Sequence, residues 1–179
     1  MPRILGLSGS LRRASFNASL LRAAARLAPE GTEVDVRGIQ GVPLYDADLE
    51  AQGTPQAVLD LRAALAEADG LLLVSPEYNN GIPGPFKNAI DWMASGAGAD
   101  LFKGKPVALM GASPMATGTI LAQDHWLPVL RTLGTRPWFE GRLMVGRAPE
   151  KFDDHGALTD ADTRKRLGAF MAGFAAALG

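Results

Sequence analysis

Cysteine is absent from the 179 residues, which excludes disulfides, thiolate nucleophiles, cysteine-ligated metals and thiol redox chemistry. Histidine is nearly absent: His125 and His155 are the two present, too few for a histidine-rich metal site, and no metal is expected. No apolar stretch reaches membrane-spanning length, and Met1-Pro2-Arg3 leads straight into apolar Ile4 and Leu5 without a signal-peptide core, so a cytoplasmic protein without membrane contact is expected. Neither sign of charge dominates. With 18 Lys and Arg against 19 Asp and Glu, the net charge of −1 provides no basic field for nucleic acid and no strongly acidic face of the kind a dedicated electron carrier docks with.

Two phosphate-binding signatures are missing as well. A dinucleotide fingerprint of spacing G-x-G-x-x-G fails after Gly6, because Ser8 and Leu11 stand where its second and third glycines would fall. A Walker A loop needs Gly-Lys followed by Ser or Thr, and no such tripeptide occurs.

What is present points to a different phosphate site. Gly6 to Asn17 lies between the apolar Ile4-Leu5 and an alanine- and leucine-rich helical segment from Ala18 to Ala28, so it reads as the turn from a first strand into a first helix. Helix N-termini present partnerless N–H groups and the positive end of the macrodipole. Ser8, Ser10 and Ser15 add hydroxyls, Asn17 an amide, and Arg12 and Arg13 cationic forks, a donor set that suits a phosphate monoester, here that of a mononucleotide. Taken singly, Ser15 also reads as an ordinary N-cap and the arginines as solvated charges.

Further along, Val34 and Val36 alternate with charged residues as a half-buried strand ends near Ile39, and 41–54 reads as a long loop. A helix over Pro55 to Ala68 precedes Gly70 to Val74, whose continuous apolar run suits a central parallel strand covered on both faces. The loop from Ser75 to Gly84 leads into a helix begun by Pro85. Strand Val107 to Gly111, loop Ala112 to Gly118, helix 119–133, a strand around Arg136 to Phe139 and a last helix from Asp160 to Leu178 complete the chain. Five alternations of strand and helix, without repeat or linker, predict one domain over 1–179. Its expected fold is a doubly wound α/β sandwich with a five-stranded parallel sheet and helices on both faces, taken here in the flavodoxin-like order 2-1-3-4-5 rather than the other doubly wound order.

In such sheets ligands lie beyond the carboxyl ends of the strands at the switch point. The loops after the first, third and fourth strands fall there. Pro76 and Tyr78 offer apolar faces to a flat ring and Asn79, Asn80 and Gly81 amides to its edges, so a flavin mononucleotide matches both halves of the site. Plainer readings stand beside this one. Tyr78 also reads as a loop aromatic against Trp92, Glu77 as a solvated carboxylate, Asn79-Asn80-Gly81 as a left-handed turn, Ser113 as a turn hydroxyl and His125 as a helix-surface residue.

Gly9-Ser10-Leu11-Arg12, Ser15-Phe16-Asn17, Pro43-Leu44-Tyr45-Asp46, Pro76-Glu77-Tyr78-Asn79, Pro83-Gly84 and Lys87-Asn88-Ala89-Ile90-Asp91-Trp92 together resemble the NADPH-dependent FMN reductase family, above all bacterial chromate, quinone and azo-dye reductases. The resemblance implies bound FMN, NAD(P)H as co-substrate, small-molecule acceptors and a homodimer or homotetramer. It places Ser10, Arg12, Ser15 and Asn17, with Leu11 and Phe16 between them, at the FMN phosphate. Pro76, Glu77, Tyr78, Asn79 and Asn80 would line the isoalloxazine and ribityl chain, and Ser113 would close the site. Asn80 and Gly81 depart from relatives that carry an aromatic and then a small residue there. No catalytic side chain is required, because the cofactor carries the chemistry. One flavin face reached from Tyr78 and Met115 implies alternating substrates and ping-pong kinetics. Trp92, Trp126 and Trp138 suggest an oligomer interface. The rival reading is a flavodoxin-like electron carrier without pyridine-nucleotide activity.

Overall fold

A computed structural model describes residues 1–179. Six parallel strands form one sheet: β1 (Arg3–Ser8), β2 (Glu33–Gly38), β3 (Gly70–Val74), β4 (Pro106–Ala112), β5 (Arg136–Pro137) and β6 (Leu143–Val145). The order is β2-β1-β3-β4-β5, with β6 also paired to β4, as the flavodoxin-like expectation requires. Helices α1 (Phe16–Leu27) and α6 (Ala161–Ala176) cover one face. Helices α3 (Gln56–Glu67), α4 (Gly84–Ala94) and α5 (Ile120–Thr132) cover the other, and short α2 (Ala47–Gln52) lies outside both layers.

Alternation along the strands divides the apolar residues between the two layers. Ile4, Leu72, Val74, Ala108, Met110 and Ala112 pack toward α1 and α6, while Leu5, Leu7, Leu71, Leu73 and Val107 pack toward α3, α4 and α5. Burial on both faces is why Gly70–Val74 can be apolar without interruption, each leucine contributing about 1.5–3 kcal/mol.

Four expectations need correction. The predicted loop 41–54 contains α2, whose N-cap Asp46 accepts from the Asp48 N–H. Its preceding stretch is fixed to α4, where Asn88 accepts from the Tyr45 N–H at 2.8 Å and, with Trp92, donates to the Pro43 carbonyl. The aromatic neighbour of Trp92 is Tyr45, at 4.9 Å, rather than Tyr78. The strand expected at 136–139 is broken in two: Trp138 leaves the ladder after donating its N–H to Val107 and stacks on Phe170 and Phe174 of α6. Pairing with β4 resumes only at Leu143. Finally, Trp92 and Trp126 are fully buried within the chain, so they supply no interface.

Gly9 sets the position of the turn after β1. Its N–H bonds the Val74 carbonyl at 3.1 Å, and a Cβ there would lie 2.0 Å from the ring of Phe86, which is itself fully buried under α4. Gly9→Ala is therefore expected to destabilise the protein by about 1–3 kcal/mol through overpacking, measured as a lower urea midpoint at unchanged slope.

Candidate active site

The first turn is held by its own polar groups. Ser10 Oγ accepts from the Arg12 N–H at 3.3 Å, and Ser15 Oγ accepts from the Ala18 N–H at 3.2 Å as the N-cap of α1. Between these bonds, the N–H groups of Arg13, Ala14, Ser15, Phe16 and Asn17 donate to no protein acceptor. Arg12 and Arg13 are exposed and make no ion pair within 4.0 Å. The Ser8 hydroxyl is buried without a partner. Alternation from Ile4 turns it to the α1 face, where a Cβ at Gly6 would meet Leu21. Free amides, unpaired guanidiniums and hydroxyls with protons left to donate fit a phosphate ester, whose three terminal oxygens accept only.

Asn17 stands apart from this set. Its amide nitrogen donates to the Ala112 carbonyl and its oxygen accepts from the Ala112 N–H, each at 2.8 Å and buried. The side chain therefore joins the start of α1 to the end of β4, and only its backbone N–H is free toward the turn. Phe16 points the other way, its ring 5.6 Å from that of Phe152, and Leu11 is exposed.

The loop after β3 begins from an anchored base: Trp126 Nε1 donates to Ser75 Oγ at 3.0 Å, and that hydroxyl donates to the Pro76 carbonyl. Glu77 is no solvated carboxylate. Its Oε2 accepts from the Leu121 and Ala122 N–H groups, both at 2.9 Å, supplying the anion at the start of α5 that Thr119 does not provide by a side-chain cap. Tyr78 and Gly81 exchange both backbone bonds, with Asn79 and Asn80 at φ 49° and 63°, the two-residue turn that Asn tolerates best after Gly. Tyr78 is left 46% exposed at its shoulder, and His125 approaches the backbone of Gly81.

Ser113, at the end of β4, donates its N–H to Val145, accepts at its carbonyl from Ala148 and at Oγ from Met115. The three loops thus leave the same sheet edge, since Ser8 pairs with Val74 and Val74 with Met110. Apart from Phe16, the expected residues fall on this edge. The sequence reading missed an apolar cavity of about 350 Å³ beside it, walled by Leu109, Ile120, Leu121, Trp138, Phe139 and Met144. It exists because β5 and β6 are separated, a break no local pattern signals.

The chain resembles known proteins over nearly its whole length. The model of the NADPH-dependent FMN reductase family matches residues 2–150. An NAD(P)H-dependent FMN reductase of Pseudomonas aeruginosa is 41% identical over 165 residues, 92% of this chain and 89% of that one. A 2-hydroxy-1,4-benzoquinone reductase of a Burkholderia species is 38% identical over 97% of this chain and 94% of its own. Among solved structures, the flavoenzyme NAD(P)H:(acceptor) oxidoreductase FerB of Paracoccus denitrificans superposes with a TM-score of 0.88 at 33% identity, covering 99% of this chain and 97% of that one.

Asn17→Ala removes both bonds to Ala112 and leaves a buried N–H and C=O unpaired. The expected cost is about 2–4 kcal/mol, read by chemical denaturation, and Asn17→Asp should recover only the bond accepted from the Ala112 N–H.

Proposed function

This chain belongs to the NADPH-dependent FMN reductase family, and we propose that it passes electrons from NAD(P)H through FMN, held by the three strand-end loops, to quinones. Azo compounds and oxidised metal anions such as chromate are further acceptors in this reading. That it is an FMN-dependent, NAD(P)H-using oxidoreductase follows from the family match and from relatives that are FMN and quinone reductases. The observation that supports the assignment of the site is the run of partnerless N–H groups from Arg13 to Asn17 beside two unpaired arginines.

Bound FMN would supply the redox chemistry between NAD(P)H and the acceptor. The chain's part is to hold and orient. Ser10 and Ser15 each accept one backbone bond and keep a hydroxyl proton for a phosphate oxygen, Arg12 contributes a charge-assisted fork, and Asn17 contributes its backbone N–H. Leu11 and Phe16 shape the turn rather than touch the ester. Pro76, Tyr78, Asn79 and Asn80 line the ring, and Glu77 does so through its main chain, its carboxylate being engaged by α5. The N–H groups of Glu77, Asn79 and Asn80 have no protein partner and are donors for the edge where negative charge develops. Ser113 closes the far side.

A homodimer or homotetramer remains part of the proposal, now supported by the exposed apolar side chains of Ile120, Leu121 and Phe139 along the cavity rim.

Arg12→Ala should weaken FMN by about 1.5–3 kcal/mol while leaving riboflavin nearly unaffected, because only the phosphate meets the guanidinium. Fluorescence titration of both ligands decides, and equal losses would remove Arg12 from the phosphate site.

With one face between Tyr78 and Met115 for both nicotinamide and acceptor, initial-rate plots at several benzoquinone concentrations should be parallel, and high quinone should compete with NAD(P)H. Intersecting lines would mean that both substrates bind together.

A further inference from the structure

On the opposite side of the phosphate turn from Tyr78, the chain forms a second polar cleft of about 520 Å³. Its walls are the turn itself, the outer face of α1 and the segment 149–156. Arg12, Arg13 and Arg22 reach it together with the Phe16–Phe152 pair and His155. Resting on the NAD(P)H-dependent reading above, we propose that this cleft binds the adenosine 2′-phosphate of NADPH, with Arg13 and Arg22 setting preference for NADPH over NADH.

The cations are available. The ion pairs of the chain involve Arg3, Arg37, Lys87, Lys103, Lys151 and Arg166, so none of the three arginines in the cleft is neutralised by a carboxylate within 4.0 Å. Asp153, whose Oδ1 accepts from the N–H groups of His155 and Ala157 at 3.0 and 2.8 Å, and Asp154 also line the cleft, so three arginines face two carboxylates and one positive charge is left in excess.

The walls are also held in place. Phe16, Ser19 and Arg22 succeed one another at intervals of three along α1 and so share one face. Arg22 Nη2 donates to Ser19 Oγ at 2.9 Å, which aims the fork along that face. Gly156, at φ 76°, lies so close that a Cβ would stand 2.6 Å from Ser19 Oγ and 3.4 Å from Arg22 Nη2. The loop therefore sits against the helix and keeps the guanidinium at the mouth of the cleft. The half-buried ring of Phe16, packed on buried Phe152, offers an apolar edge for a nucleoside, and guanidinium forks match phosphate oxygens geometrically.

Continuity with the first site gives the occupant. Arg13 follows the Arg12 assigned to the FMN ester and lines the cleft with Arg22, so a dinucleotide whose nicotinamide end lies toward Tyr78 would meet Arg13 and Arg22 with its adenosine end. NADPH and NADH differ only by the 2′-phosphate there, and this cleft is where that difference meets charge.

The test uses the FMN-loaded protein and two nicotinamide-free probes, 2′-phospho-ADP-ribose and ADP-ribose, titrated calorimetrically. The phosphorylated probe should bind at least about tenfold more tightly, and Arg22→Ala and Arg22→Glu should abolish that discrimination with FMN affinity unchanged. Because Arg22 is exposed, neither substitution disturbs the core. In steady state, Arg22→Glu should lower kcat/KM for NADPH by about tenfold or more while that for NADH holds. Equal binding of the two probes, or discrimination that survives in both Arg22 variants, overturns the proposal even if NADPH and NADH both reduce the enzyme. Protein that takes up no FMN, or is reduced by neither nucleotide, overturns the underlying reading and this inference with it.

Discussion

The reciprocal pair of hydrogen bonds between Asn17 and the backbone of Ala112 ties together the two elements on which the rest of the ligand-facing edge depends. It crosses β3 on the α1 side of the sheet, so the N-terminus of α1 cannot move relative to the end of β4 without exposing two buried polar groups. Every other loop takes its place from that reference. Ser113 follows Ala112 directly, Gly9 is hung on Val74, and Ser75 donates its N–H to Met110. An amide side chain suits the post because it donates and accepts at once, as no carboxylate or ammonium does.

The loop after β3 shows the same economy with a charged group. Glu77 is placed among the flavin-lining residues by resemblance, yet its carboxylate is engaged at the first turn of α5. The approach to the turn Tyr78–Gly81 is thereby held twice, by Trp126 through Ser75 and by α5 through Glu77. Rigid loops on a parallel edge let a protein present a cofactor without spending catalytic side chains on it.

Most of the architecture was legible in the sequence. The apolar run Gly70–Val74, the helix breakers and the serine- and arginine-bearing turn each impose a local conformation, and their alternation implies a parallel sheet, whereas the strand order came with the flavodoxin-like resemblance rather than from the pattern. The fifth strand was not legible, because its interruption is decided by Trp138 finding Phe170 and Phe174 on a helix more than thirty residues away. The committed amide of Asn17 was equally hidden: a side chain at the first turn of a helix reads as a donor toward the ligand unless its distant partner is known. The left-handed turn at Asn79-Asn80-Gly81 was visible, since both asparagines tolerate that backbone and the glycine closes it. The arginine cleft escaped notice because Arg22 and Phe152 come together only when the segment after β6 folds back on α1.

The partnerless N–H groups of the phosphate turn carry a further consequence. Backbone amides do not ionise in water, so the principal donors of the first turn present the same field at any pH. A phosphate monoester does ionise, losing its second proton near pH 6. With FMN held at this turn as proposed, the pH dependence of its retention would be written in the ligand: the backbone presents a constant field, and the ester would decide through its own charge how strongly to answer it.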